Sequence, residues 1–290
     1  MSAVDLPLVV GVDGSEPSLR AVDWAADEAV LRGVPLRLVY ASLWERYEGT
    51  SPAQDVGRPS EQVMAEDIVA AAARRAARRQ AGVKVSTDVL PEEPEYALVR
   101  ESREASALVM GTRGRTGMVE MLLGSVSLAV AAHADCPVIV LRGTQDQRGG
   151  PETHGRIVVG VAEGPAGSAA VRFAAAEAEL RGVPLEAVRA WRHPAHPAGG
   201  ESARLHEERA AETLEAAVSE AAEQHPGVDL RRRTVEGHAR RVLLDVSRDA
   251  GLLVVGAQRT QGAFGLQLGR VTHGVLHHAA CPVAVVPHRS

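Results

Sequence analysis

Apolar residues arrive in short unbroken runs, and between the runs small apolar residues recur among charged ones at helical spacing. The first run, residues 6–12 (LPLVVGV), suits a strand buried on both faces, where no polar alternation is wanted. Ser15 then stands where a helix N-cap belongs, Pro17 falls in the first turn, and Gly33 marks the stop. Residues 36–41 read as a second strand, 62–80 as an Ala-rich helix ended by Gly82, and 83–89 as a third strand. Pro94 opens a short helix, 107–111 is a fourth strand, 125–134 a helix, and 138–141 a closing strand. The succession then starts again, with strands over 156–161, 185–191, 228–235, 252–256 and 283–286. Alternating strands and helices with short connections predict an α/β fold: a doubly wound parallel sheet with helices on both faces. Five strands per half fit the order 3-2-1-4-5, in which strands 1 and 4 flank a topological switch point.

The repetition extends to the residues themselves. Residues 31–36 (LRGVPL) return unchanged as 180–185, 24–29 (WAADEA) as 173–178 (FAAAEA), and 134–138 (ADCPV) as 279–283 (AACPV). A period this long means two duplicated domains, not a solenoid of short repeats. The predicted boundaries are 1–143 for the first domain, 144–153 for a polar, Gly-rich linker, and 154–290 for the second.

Composition narrows the picture in a few places. With 45% hydrophobic and 24% charged residues each half can bury its own core, and 3% aromatic content leaves that core to aliphatic side chains. A formal charge of −5 gives none of the positive field of a nucleic-acid binder. Cys136 and Cys281 are the only cysteines; each precedes a proline, and packing explains them better than a disulfide, a metal or a nucleophile. No basic-then-apolar leader and no span-length apolar run are present, so a cytoplasmic location is expected. Arg74, Arg75, Arg78 and Arg79 read as a solvated helix face, and Arg231–Arg233 as a strand edge or partner surface. His273 and His277 lie one helical turn apart without a third ligand nearby.

The sharpest chemical feature is Gly111-Thr112-Arg113-Gly114, then nine residues, then Gly124-Ser125. Glycines let backbone amides approach a ligand closely, and a helix start adds unpaired amides with the positive end of a dipole, which together suit phosphate. Ser125 and Ser127 are candidate hydroxyl donors to such an anion. The same residues also fit a plain tight loop with Ser125 as its cap. Asp13, at the end of the first strand, would share the switch-point crevice with Gly111, as a ribose acceptor or through water on a metal. Alternatively it shapes the strand–helix junction as an Asx turn. Neither a Walker A lysine loop, nor a G-x-S-x-G elbow, nor a G-x-G-x-x-G after the first strand is present.

These motifs carry a resemblance. The G-x-x-G, nine residues, G-[S/T] pattern, the VGVDGS opening at 10–15 and the ADCPV ending make both halves resemble the universal stress protein family. The resemblance implies a flavodoxin-like fold for each half and an ATP site in the first. By motif, Gly11, Asp13 and Ala41 would surround the base and ribose, and Met110, Gly111, Arg113 and Gly114 would line the phosphate loop. Gly124, Ser125, Val126 and Ser127 would form the helix start, and Asp13 would reach Mg bound with ATP through water. It also implies pairing through the last strands, here of the two halves with each other, with or without a homodimer.

The second half departs from the pattern. Ala162 answers Asp13, Arg259 answers Gly114, and Arg270 answers Ser125, while Gly256 and Gly269 preserve Gly111 and Gly124. The expectation is therefore a stress-response sensor or regulator that binds ATP in its first domain only. Two other readings stay open: a slow ATPase or phosphotransferase using Asp13 with Arg113 or Arg115, and a structural pairing module indifferent to nucleotide.

Overall fold

The structure, a computed structural model, describes residues 6–43, 61–112, 123–142, 155–192, 199–257, 259–262 and 265–288. The chain divides into two compact units, Met1–Leu141 and Arg142–Ser290. The expected linker, 144–153, falls wholly outside the described residues.

In the first unit, β1 (Leu8–Gly11), β2 (Leu36–Ala41), β3 (Val85–Leu90), β4 (Ala107–Met110) and β5 (Val138–Val140) form one parallel sheet in the order β3-β2-β1-β4-β5. Val9 pairs with both Arg37 and Leu108, which puts β1 at the centre and the switch point between β1 and β4. Strands β4 and β5 are buried along their whole length, as continuous apolar runs require. The outer strand β3 is half-buried and carries Ser86, Thr87 and Asp88, polar residues that blunt an edge.

Helix α1 (Glu16–Arg32) begins as expected: Ser15 is its N-cap, and the Ser15 hydroxyl accepts from the Ser18 amide at 3.4 Å. Its inner face is Ala21, Val22, Ala25, Ala26 and Ala29, all with no exposed surface, so small side chains seat the helix close to the sheet. Helix α2 (Glu61–Arg79) corrects the reading of its arginines as a merely solvated face. Arg75 forms a two-pronged ion pair with Asp23 of α1 (2.7 and 2.5 Å), and Arg79 pairs with Asp27 at 2.7 Å. Spacing of four on both helices aligns the two pairs, and the Asp23 hydrogen bond holds the Arg75 guanidinium pKa above its ordinary value. Helices α3 (Pro94–Glu101) and α4 (Ser125–His133) complete the unit.

The second unit repeats this plan. Strands β6 (Ile157–Gly160), β7 (Leu185–Trp191), β8 (Leu230–Glu236), β9 (Leu252–Gly256) and β12 (Val283–Val286) are parallel in the order β8-β7-β6-β9-β12. Helices α5 (Pro165–Arg181), α6 (Gly199–Gln224), α7 (Ala239–Val246) and α8 (Arg270–His278) connect them. Arg231, Arg232 and Arg233 do lie on the edge strand β8, exposed, and are paired to Asp229, Glu215 and Glu186. Both units keep a buried intrahelical ion pair at the same repeat position. Glu28, with no exposed surface, meets Arg32 at 2.6 Å, and Glu177 meets Arg181. One addition was not anticipated. Between β9 and α8, where a loop was expected, β10 (Arg259–Gly262) and β11 (Gly265–Leu268) form an antiparallel hairpin. Cys136 and Cys281 are buried thiols that form no disulfide. Among the described residues no helix is long and apolar enough to cross a membrane.

Candidate functional site

The first unit's site is built from a turn. Chain leaving β1 must reverse into α1, and Gly14, at φ +80°, makes that reversal in a region closed to most side chains. Asp13 locks the turn: its Oδ1 accepts from the Ser15 amide at 3.0 Å and from the Ser15 hydroxyl at 2.6 Å, an Asx turn. The Ser18 hydroxyl, nearly buried, donates to the Ser15 carbonyl at 2.9 Å. Asp13, Ser15 and Ser18 thus form one hydrogen-bonded set at the carboxyl end of the central strand.

Gly111 closes the other side. A Cβ there would stand 2.7 Å from the carbonyl carbon and oxygen of Pro17, so β4 and the first turn of α1 approach closer than any side chain permits. The Thr112 carbonyl accepts from the Gly124 amide at 2.7 Å, tying the start of the β4–α4 connection to its end. Gly124 is the N-cap of α4 without a side-chain capping bond; Ser125 is the first helical residue and exposed, so it does not serve as the cap. The Ser127 hydroxyl donates to the Gly111 carbonyl at 2.9 Å in a buried contact. In this structure the Ser127 proton is turned to the end of β4.

Together these elements enclose a cavity of 140 Å³ over the carboxyl ends of β1, β2 and β4. Of the residues expected from the sequence, Gly11, Asp13 and Ala41 line it, and so do Met110, Gly111, Val126 and Ser127. Gly124 and Ser125 border the loop without lining the cavity, and Arg113 and Gly114 lie outside the described residues. Sequence reasoning missed Ser18, Val12 and Val39, and the apolar wall made by Pro94 and Leu98. Ser18 was signalled by its place three residues beyond the N-cap, and by its loss to Gly167 in the repeat. Asp13 is the only titratable side chain among the described lining residues. Nor do the described residues contain any group of three or more metal-ligating side chains.

Known proteins match both the fold and the repeat. The description "Universal stress protein family" fits residues 7–142 and again 153–287. The chain belongs to the universal stress protein family. A universal stress protein of Mycobacterium tuberculosis is 32% identical over 294 residues, covering 96% of each chain, and one of Mycolicibacterium smegmatis is 30% identical, covering 99% of each. The crystal structure of a universal stress protein from Archaeoglobus fulgidus superimposes with a TM-score of 0.69 over 98% of both chains at 17% identity, which supports the fold.

The second member of the tandem has rebuilt the same corner. Ala162, Gly164 and Gly167 stand where Asp13, Ser15 and Ser18 do, so the side-chain oxygens of the turn are lost as a set. The positive-φ residue moves one place along, to Gly164 at φ +79°. A Cβ on Gly167 would lie 1.9 Å from the Ala162 carbonyl oxygen, which therefore occupies the space that Ser18 uses in the first unit. Gly256 persists for the reason Gly111 does, since its Cβ would stand 2.4 Å from the Ala166 carbonyl oxygen. Thr272 likewise repeats Ser127, donating to the Gly256 carbonyl at 3.2 Å.

Proposed function

We infer that the first unit of this universal stress protein binds ATP with Mg²⁺ and that the protein acts as a nucleotide-responsive regulator, not as a catalyst. The observation that carries this reading is the convergence of seven motif residues, far apart in sequence, on one cavity at the switch point of the sheet. The cavity is smaller than the roughly 300–1,000 Å³ of pockets that engulf a drug-sized ligand. It suits a base and ribose seated among Val39, Ala41, Leu98 and Met110, with the phosphates lying over the connection from Gly111 to Gly124. Asp13 offers a carboxylate at its rim that Mg²⁺ reaches through water. Its Oδ1 also holds Ser15, so one carboxylate both fixes the turn and supplies the charge.

Regulation is favoured over turnover by what surrounds the site. Phosphoryl transfer needs a group that orients the nucleophile and another that stabilises charge on the γ-phosphate, and the described lining offers one carboxylate and no cation. In the second unit the turn oxygens are gone, and the backbone of 259–262 and 265–268 is paired in a hairpin, so its amides are committed to each other. ATP binding there in the same pose is disfavoured. The test is mass spectrometry of nucleotide released on denaturing freshly purified protein, with thermal shift on adding Mg-ATP. An adenine nucleotide and a rise in melting temperature are expected; no nucleotide and no shift would leave only a structural role.

A further inference from the structure

The larger of the two switch-point cavities lies in the unit that lost the nucleotide motif. It measures 340 Å³, against 140 Å³ in the first unit, and occupies the equivalent place over the ends of β6, β7 and β9. A degenerate site with no remaining use would be under no requirement to stay open, because close packing is the default of protein interiors. We propose that this second cavity is a separate binding site for a compact organic anion, an apolar body carrying one carboxylate or one phosphate group.

The walls supply the apolar part: Val161, Val188, Leu243 and Val255 line the cavity. The charge pattern supplies the anionic part. Relative to the first unit, Asp13 has become Ala162, Tyr40 has become Arg189, and Ser125 has become Arg270, so a carboxylate is removed and two guanidinium groups are brought in. Both arginines line the cavity, and no acidic residue does among those described. Arg270 is exposed at the first position of α8, behind a Gly269 N-cap that provides no side-chain bond, so guanidinium and helix amides lie together at the mouth. Arg189 is 20% exposed; its Nη1 donates to the Val161 carbonyl at 3.1 Å and its Nη2 pairs with Glu163. Its Nε–H is buried without a hydrogen-bond partner, so the guanidinium is held at a cost that a second anionic partner on the cavity side would offset. Glu163 is 72% exposed and outside the cavity lining, a weakly held solvent-side partner that a ligand anion can displace.

Chemistry disfavours Mg-ATP here: without a carboxylate like Asp13 or the turn hydroxyls, nothing in the described lining replaces the contacts of Mg²⁺. This assignment does not depend on what the first unit binds.

The test uses full-length protein with ¹³C-labelled methyl groups, so that each cavity reports separately: Leu243 and Val255 for the second unit, Leu98 and Met110 for the first. Phenylacetate probes the carboxylate class and phenyl phosphate the phosphate class, with phenylacetamide as the neutral control. Saturable shifts of Leu243 and Val255 with at least one anion, and none with phenylacetamide, are expected. Arg270→Gln, on an exposed side chain, and Arg189→Met should each weaken that binding about tenfold, the loss of one charge-assisted contact. Ala239→Trp, which fills the cavity from its rim, should abolish it without changing a charge. Phenylacetate alone would mark a carboxylate site and phenyl phosphate alone a phosphate site. The proposal is overturned if neither anion moves these methyls at millimolar concentration, if phenylacetamide titrates equally well, if the arginine variants bind unchanged, or if Mg-ATP binds there at micromolar concentration.

Discussion

Replacing Gly111 by alanine puts one methyl group where β4 meets α1. The new carbon would lie 2.7 Å from two backbone atoms of Pro17 and 3.0 Å from its Cβ, against about 3.5–4.0 Å for relaxed carbon contacts. No rotamer relieves a clash with backbone, so α1 or the end of β4 must retreat by something on the order of 1 Å. Neither is free to do so. The Gly111 carbonyl is held by Ser127, and the Leu141 amide donates to the Met110 carbonyl at 2.9 Å. Overpacking of this kind costs about 1–3 kcal/mol, and the lower chain entropy of unfolded alanine returns about 0.4–1. The net loss is about 1–2 kcal/mol, or roughly 3–8 °C in the melting of a unit this size. Scanning calorimetry of the full chain, which follows the units as separate transitions where they melt apart, measures it. Gly82→Ala is the control: nothing lies within 4 Å of its Cβ and its φ is not positive, so its effect should stay within about 0.5 kcal/mol. Gly111→Ala and Gly256→Ala should lower the transitions of the first and second units respectively, and only the former should weaken nucleotide binding, by displacing the turn that carries Ser15 and Ser18. If Gly111→Ala is as silent as Gly82→Ala, the glycine is not held by packing.

Three further outcomes follow from the same geometry. Arg32→Met leaves the fully buried Glu28 without its 2.6 Å partner and should cost about 3–5 kcal/mol by chemical denaturation; Glu28→Gln in the same chain should recover part of that loss. His277 has its pKa lowered, first by burial and then by the positive charges of His273, Arg142 and His278, so the unfolded chain binds a proton that the folded unit resists. That stability is present above the ordinary histidine pKa of about 6.5 and is lost as pH falls through it, and His277→Gln should flatten the denaturation profile between about pH 7 and 5. Asp13→Asn keeps an acceptor for the Ser15 amide and hydroxyl but removes the charge. Melting should shift by less than about 0.5 kcal/mol, while Mg-ATP affinity drops about tenfold.

Much of the fold was legible because its central strands are buried on both faces and therefore read as unbroken apolar runs. The ends were less so. The run over residues 6–12 continues past the ladder that pairs Leu8–Gly11, because Val12 stays buried after the strand has ended. The β10–β11 hairpin was invisible for a different reason: two four-residue strands closed on themselves leave little periodicity, and the repeat invited carrying the first half's loop across. The arginines of α2 were legible as a helix face but not as partners of Asp23 and Asp27, since only the topology reveals that α2 lies along α1. At the site, the motif picked out residues that the fold brings to one cavity, without assigning their work. Gly111 and Gly256 serve helix–strand contact, and Ser127 and Thr272 bind the carbonyls of those glycines, which explains why both pairs outlast the change at Asp13.

That asymmetry between matched halves is the centre of the account, and calorimetric titration of the full-length protein with Mg-ATP tests it most directly. One ATP per chain is predicted, bound in wild type and in the Arg270→Gln variant alike, and weakened about tenfold by Asp13→Asn. Two equivalents per chain, or binding that responds to Arg270→Gln and ignores Asp13→Asn, would contradict it.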